Sequence, residues 1–123
     1  MIHLDTSTLI DALTGKKRSG ARLRGFVERA ERIHLSSLVL YEWLRGPRSP
    51  EEIKDQEELF PTDQAVAFAA REALIAAELY RKIKRPRARE IDIAIAACAI
   101  AHDAKLWSMN PDAFRDIPGL RLV

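Results

Sequence analysis

MIHLDTSTLI, residues 1–10, is the stretch on which the reading of this chain turns. Ile2, His3 and Leu4 form a short apolar run that reads as a strand and ends at Asp5. The segment opened by Ser7 then keeps helical spacing to Leu13, with Gly15 closing it. The chain therefore opens strand then helix.

Moving outward, Leu23, Phe26, Val27 and Ala30 fall at helical spacing within 19–31, while the arginines of that segment face outward. Ile33 to Leu35 predicts a second strand. Ser36 or Ser37 can cap a helix carrying Val39, Leu40, Trp43 and Leu44, which Gly46-Pro47 stops. Ser49-Pro50-Glu51-Glu52 is a capping box with proline at the first helical position, so an acidic helix to about Leu59 follows until Pro61 breaks it. Thr62 or Asp63 is expected to cap a long helix to about Ile83, apolar at Ala65, Ala69, Leu74, Ala77 and Tyr80. Glu90 to His102 predicts another helix, apolar all round in its middle and so buried on most sides. Lys105 to Met109 and Leu120 to Val123 are the last expected strands, and the proline-containing stretch between them has room for one helical turn.

Short strands alternating with helices give an α/β fold: three layers, α/β/α, around a short central parallel sheet, right-handed at each crossover. At 123 residues and 13.9 kDa, with 47% hydrophobic and 31% charged residues, the chain has the balance of one globular domain spanning residues 1–123. The net charge of +2 predicts no polyanionic partner, but the distribution is uneven. Residues 16–32 hold seven basic and two acidic side chains, residues 81–89 six basic and none acidic, and residues 51–58 five acidic and one basic. Two basic segments can thus face one anionic ligand. One cysteine, Cys98, excludes an internal disulfide, and no Cys/His run has zinc spacing. The N-terminus lacks the positive lead of a signal peptide, and the longest uncharged apolar run, Ile93 to Ala101, is far below the roughly 20 residues of a membrane span. A soluble cytoplasmic protein with no membrane partner is the expectation.

In an open parallel sheet, ligands bind beyond the carboxyl ends of the strands, where strand order reverses. Asp5 falls at that end of the first strand. Asn110 and Asp112 fall just past the strand from Lys105, which would neighbour the first. Glu42, between Tyr41 and Trp43, and Asp92, between Ile91 and Ile93, sit on apolar helices where an ionised carboxylate is costly unless neutralised. Clustered oxygen ligands without histidine or thiol suit Mg²⁺ or Mn²⁺. Each acid also has a plainer reading: Asp92 as a first-turn helix residue, Asp5 as an Asx-turn, Glu42 as a solvated helix edge.

Four segments in this order resemble the PIN-domain nucleases, and among them the VapC-type toxins of VapBC toxin–antitoxin modules: MIHLDTSTLI at 1–10 with Asp5, SSLVLYEWLRG at 36–46 with Glu42, EIDIAIAACAIAH at 90–102 with Asp92, and LWSMNPDAFRDIPGLRLV at 106–123. Where the family often has a fourth acid, this chain has Asn110, with Asp112 two residues on. The resemblance implies a PIN-like fold and a Mg²⁺- or Mn²⁺-dependent endoribonuclease. In it Asp5 and Asp92 hold the ion, Glu42 and either Asn110 or Asp112 complete the site, and a metal-bound water attacks the phosphodiester. It also implies a homodimer and a small antitoxin whose tail enters the acidic site. Thr6, Ser7 and Ser108 are candidates to orient the ligands, and Arg45, Arg85, Arg87 and Arg89 to hold RNA phosphates. Cys98, Trp43 and Trp107 read as core, and none of His3, His34 and His102 reads as catalytic.

Rival chemistries fit less well. A haloacid-dehalogenase-type phosphatase needs an acid at position 7, which is Ser7; a receiver domain needs an extra acidic pair near the start; a nucleotide-binding module needs a glycine-rich phosphate loop. The non-enzymatic alternative is a PIN-like RNA-binding or protein-docking domain weakened by Asn110.

Overall fold

The computed structural model describes residues 1–123. Ten regular elements follow in chain order: β1 (Ile2–Leu4), α1 (Thr6–Leu13), α2 (Gly20–Glu28), β2 (Ile33–His34), α3 (Ser37–Arg45), α4 (Pro50–Leu59), α5 (Ala70–Lys82), α6 (Glu90–Ala101), β3 (Lys105–Trp107) and β4 (Arg121–Leu122). Short 3₁₀ turns lie at Thr62–Gln64 and Pro111–Ala113. All strands are parallel, in the order β2-β1-β3-β4. The path from β1 to β2 runs through α1 and α2, and that from β2 to β3 through α3 to α6. Leaving β1 in one direction and returning past it in the other places helices on both faces of the sheet. The expected α/β/α architecture is the one observed.

The caps expected for α3 and α4 form. Ser36 Oγ accepts the Val39 N–H at 3.2 Å, and Ser49 and Glu52 close a reciprocal capping box at the head of α4. Gly15 follows α1 with φ +57, a left-handed conformation that costs an ordinary side chain energy, and α2 is closed at Ala30 with φ +58. The middle of α6, Ile93 to Ala99, is buried without interruption. It packs on α5, α3 and β3, and with Trp43, Phe114, Leu4 and Leu9 it forms the centre of the core.

One expected helix is corrected. Residues 62–69 do not begin a long helix: after the 3₁₀ turn, Val66 pairs with the end of β2, accepting from the Ser37 N–H at 2.7 Å and donating to the Leu35 carbonyl at 2.8 Å. The alanine-rich segment has helical propensity, but these strand-edge hydrogen bonds override it. α5 starts only at Ala70. Its buried side also differs from the expected one, since Leu79 and Glu72 are buried whereas Leu74 is 74% exposed. β1 has the predicted bounds, whereas the other three strands are shorter than predicted by one or two residues in all.

Candidate functional site

β1 and β3 are central neighbours in register, His3 opposite Leu106 and Leu4 opposite Trp107, and the ladder continues with the Asp5 N–H donating to the Trp107 carbonyl at 2.9 Å. The first residues beyond both strand ends, Asp5 and Ser108, therefore meet at the point where strand order reverses. Asp5 is buried and occupies the N-cap of α1 without capping it through its side chain. Its Oδ2 instead accepts from Ser7 Oγ at 2.9 Å and Ser108 Oγ at 2.8 Å, leaving Oδ1 without a hydrogen bond. Those serines are held in turn: Ser7 Oγ accepts the Met109 N–H at 3.1 Å, and Ser108 Oγ the Asn110 N–H at 2.9 Å. Thr8 Oγ1 locks α1 to β3 by donating to the Trp107 carbonyl at 2.7 Å.

Glu42 comes in from α3. Thr6 Oγ1 donates to its Oε1 at 2.6 Å and Arg45 Nη2 to its Oε2 at 3.3 Å. Asp92 lies in the first turn of α6, where a helix dipole alone would favour its ionised form. Its carboxyl is nevertheless held above the usual carboxylate range, first by burial and then by the charges of Asp5 and Glu42, against a smaller opposing pull from Arg89. The charges of two acids from distant parts of the chain thus reach Asp92. The three carboxylates are not gathered on a single point.

The remaining predicted residues separate. Asn110 is exposed next to Ser108, with its backbone tied to that serine. Asp112 turns to solvent and pairs with Arg115 at 2.6 Å, which sets it apart from the three acids. Arg85 and Arg87 are exposed in the loop before α6, and Arg45 lies over the Tyr41 ring beside Glu42. Arg89 requires a correction. Its guanidinium is taken by both oxygens of Asp116, at 2.8 and 2.6 Å, and by the Ala113 carbonyl at 2.9 Å, so it fastens the head of α6 to the C-terminal segment and is not free to take a phosphate. Asp116 escaped notice in the sequence because nothing local marks a partner 27 residues away. Lys16 and Arg18 line a shallow groove with Ser7 and Met109, so basic side chains border the site on the α1 side. Cys98 is buried, and burial pushes its thiol up to about 12, an inert core thiol as expected.

A parallel α/β sheet with an acidic cluster at its switch point is the class these features define. The PIN domain family profile matches residues 2–120, and the chain belongs to that family. Solved structures share the fold over nearly the whole length. DNA-bound VapBC from Salmonella typhimurium aligns with a TM-score of 0.76 and 26% identity, covering 99% of this chain and 96% of that one. VapBC2 from Rickettsia felis, bound to a DNA fragment from its promoter, gives 0.75 and 22%, covering 100% and 98%. A toxin–antitoxin complex from Klebsiella pneumoniae gives 0.74 and 21%, covering 98% and 95%. No curated protein matches the chain. No helix is long and apolar enough to cross a membrane.

Proposed function

We propose that this chain is a Mg²⁺- or Mn²⁺-dependent endoribonuclease that hydrolyses RNA phosphodiesters with an activated water, acting in the cytoplasm as the toxin of a type II toxin–antitoxin module. The observation that carries the reading is the placing of Asp5, with its Oδ2 held by Ser7 and Ser108, at the end of β1 near Glu42 and Asp92, where burial and then the charges of Asp5 and Glu42 hold the Asp92 carboxyl above the usual range. An all-oxygen anionic donor set fits a hard divalent cation. Asp5 and Asp92 would hold it, with Glu42 and the Asn110 amide completing the set. Bound there, such an ion supplies charge neutralisation at the scissile phosphate and a lower pKa for water.

The chain's own groups do the rest. Ser7 and Ser108 fix the Asp5 carboxylate through Oδ2, which leaves Oδ1 for a ligand, and Thr6 fixes Glu42, so these acids are held before substrate arrives. Arg45, Arg85 and Arg87, with Lys16 and Arg18 on the opposite rim, are the phosphate contacts.

The family and the toxin–antitoxin complexes among its structural neighbours support a small antitoxin as partner. An apolar groove between α2 and α4, with Leu23, Val27 and Leu59 in its wall and the latter two about half exposed, suits an amphipathic helix of that partner. A basic side chain from the partner's tail reaching the three acids would inhibit by taking the cation's place. Exposed Tyr80 and Ile91 border a second apolar groove with Leu38 and Phe68, the face we assign to a homodimer.

The test is cleavage of a structured RNA by the purified chain. Cleavage should require Mg²⁺ or Mn²⁺ and vanish in Asp5→Asn and Asp92→Asn variants that still fold. Full activity in EDTA, or tight RNA binding with no cleavage under any divalent ion, would contradict the proposal.

A further inference from the structure

Along α1, Ser7, Ile10, Asp11 and Thr14 recur at helical spacing and share one face, opposite the buried Thr8, Leu9, Ala12 and Leu13. That face lines an open groove of about 500 Å³ together with Lys16, Arg18 and Met109. The groove is continuous with the acidic site. Ser7 donates to Asp5 Oδ2 at 2.9 Å and accepts the Met109 N–H at 3.1 Å, so one hydroxyl belongs to both. From Ser7 to Thr14 is about 10 Å along the helix, room for one nucleotide and little more.

The lining has a charged part and an apolar part. Lys16 and Arg18 are exposed, and neither enters an ion pair within the molecule. The turn that carries them is pinned by its backbone: the Lys17 N–H donates to the Thr14 carbonyl at 3.1 Å, the Gly20 N–H to the Lys17 carbonyl at 3.0 Å and the Ser19 N–H to Asp11 Oδ2 at 2.7 Å. Two cations therefore stand in the groove against one acid, and that acid is engaged by the turn. Met109 is the apolar part. It is 44% exposed, although its backbone is tied to Ser7 beside Asp5. A thioether left in water at that point is a soft, polarizable surface that packs well on aromatic rings.

We propose that this groove is the subsite for one unpaired nucleotide adjoining the scissile phosphate, with its base against Met109 and its phosphate on Lys16 and Arg18; the inference rests on the reading of the chain as a ribonuclease. A base inside a duplex has its faces covered by its neighbours, so only a nucleotide out of the helix presents a face to Met109. The groove's hydroxyls are spent within the chain, Thr14 Oγ1 on the Ile10 carbonyl at 2.6 Å and Ser7 Oγ on Asp5 and Met109. The apolar contact does the selecting, and because every base has a π-face it selects an accessible base over a paired one and not one base over another.

The experiment is fluorescence anisotropy of a short labelled RNA, single-stranded and as its duplex, bound by the wild type and by variants in EDTA. The wild type should bind the single strand roughly tenfold more tightly than the duplex, and Met109→Ala should weaken the single strand about fivefold and the duplex not at all. Met109→Leu, which keeps an apolar surface, should retain most of the preference. A merely structural role for the side chain would move both forms alike. Lys16→Ala and Arg18→Ala should weaken both forms and each reduce the slope of log K against log salt for the single strand by about 0.7. Equal binding of the two forms by the wild type, or a preference undiminished in Met109→Ala, would overturn the subsite and leave the nuclease reading standing. No binding of either form would overturn the subsite as well, and joined to a lack of cleavage in Mg²⁺ it would overturn the nuclease reading too.

Discussion

Asp5 stands where an aspartate ordinarily caps its own helix, yet its carboxylate serves Ser7 and Ser108 instead. That choice commits the residue to the site and leaves the head of α1 to other partners. Ser108→Ala removes one of the two hydroxyls holding Asp5 and should raise the Mn²⁺ concentration for half-maximal cleavage by about tenfold, with the fold retained. An unchanged metal requirement would show that the hydroxyl does not position the acid. Asp92 makes an opposite and checkable demand. Its proton affinity is raised by burial and by Asp5 and Glu42, so its ionised form destabilises the metal-free fold, and the penalty grows as pH rises through its folded pKa. Asp92→Asn should therefore melt at a higher temperature than the wild type in EDTA at neutral pH while losing cleavage, and a lower melting temperature would contradict the mutual repulsion. These acids were legible in the sequence because an ionised residue inside an apolar run stands out. Arg89 was misread because its partner, Asp116, is adjacent only in space.

Each site residue is aimed by the element that carries it. α3 presents Glu42 from a helix whose first turn depends on the Ser36 cap, so Ser36→Ala should cost about 1 kcal/mol in a denaturant melt. The loop before α6 holds two arginines of one kind and one of another. Arg85→Ala and Arg87→Ala should weaken RNA binding and each reduce the slope of log K against log salt by about one, leaving thermal stability nearly unchanged. Arg89→Ala should do the reverse and lower the melting temperature, because it unfastens α6 from Ala113 and Asp116. A stability loss in the first two, or none in the third, would exchange their roles. Helices with their own caps, α3 and α4, and the uniformly apolar α6 were readable from local chemistry. Residues 62–69 were not, since their conformation is decided by hydrogen bonds to Leu35 and Ser37 some thirty residues away.

On the scale of the molecule, the order β2-β1-β3-β4 makes the site, because it sets β1 beside β3 and so brings residues 5 and 108 together. Alternation of strands and helices was enough to predict the parallel sheet. The histidines at the opposite end of the sheet carried no such signal: His3, His34 and His102 are far apart in the chain, and only the register of β1 with β2 and the length of α6 unite them. The burial of His3 gives the fold a pH dependence. His3 is pushed down to about 4, first by burial and then by His102 and His34, so the unfolded chain takes up the proton that the folded chain refuses. Stability should be full above about pH 6.5 and fall between there and about pH 4 by up to roughly 3 kcal/mol from this residue. Urea melts across that range check it: a flat profile would mean that His3 is not held neutral.

The account rests on Asp5, Glu42 and Asp92 sharing a cation. A crystal grown with Mn²⁺ and measured for anomalous scattering tests this most directly. The predicted result is a peak bounded by the Asp5 and Asp92 carboxylates with Glu42 and Asn110 around it; the contradicting result is no anomalous density between Asp5 and Asp92.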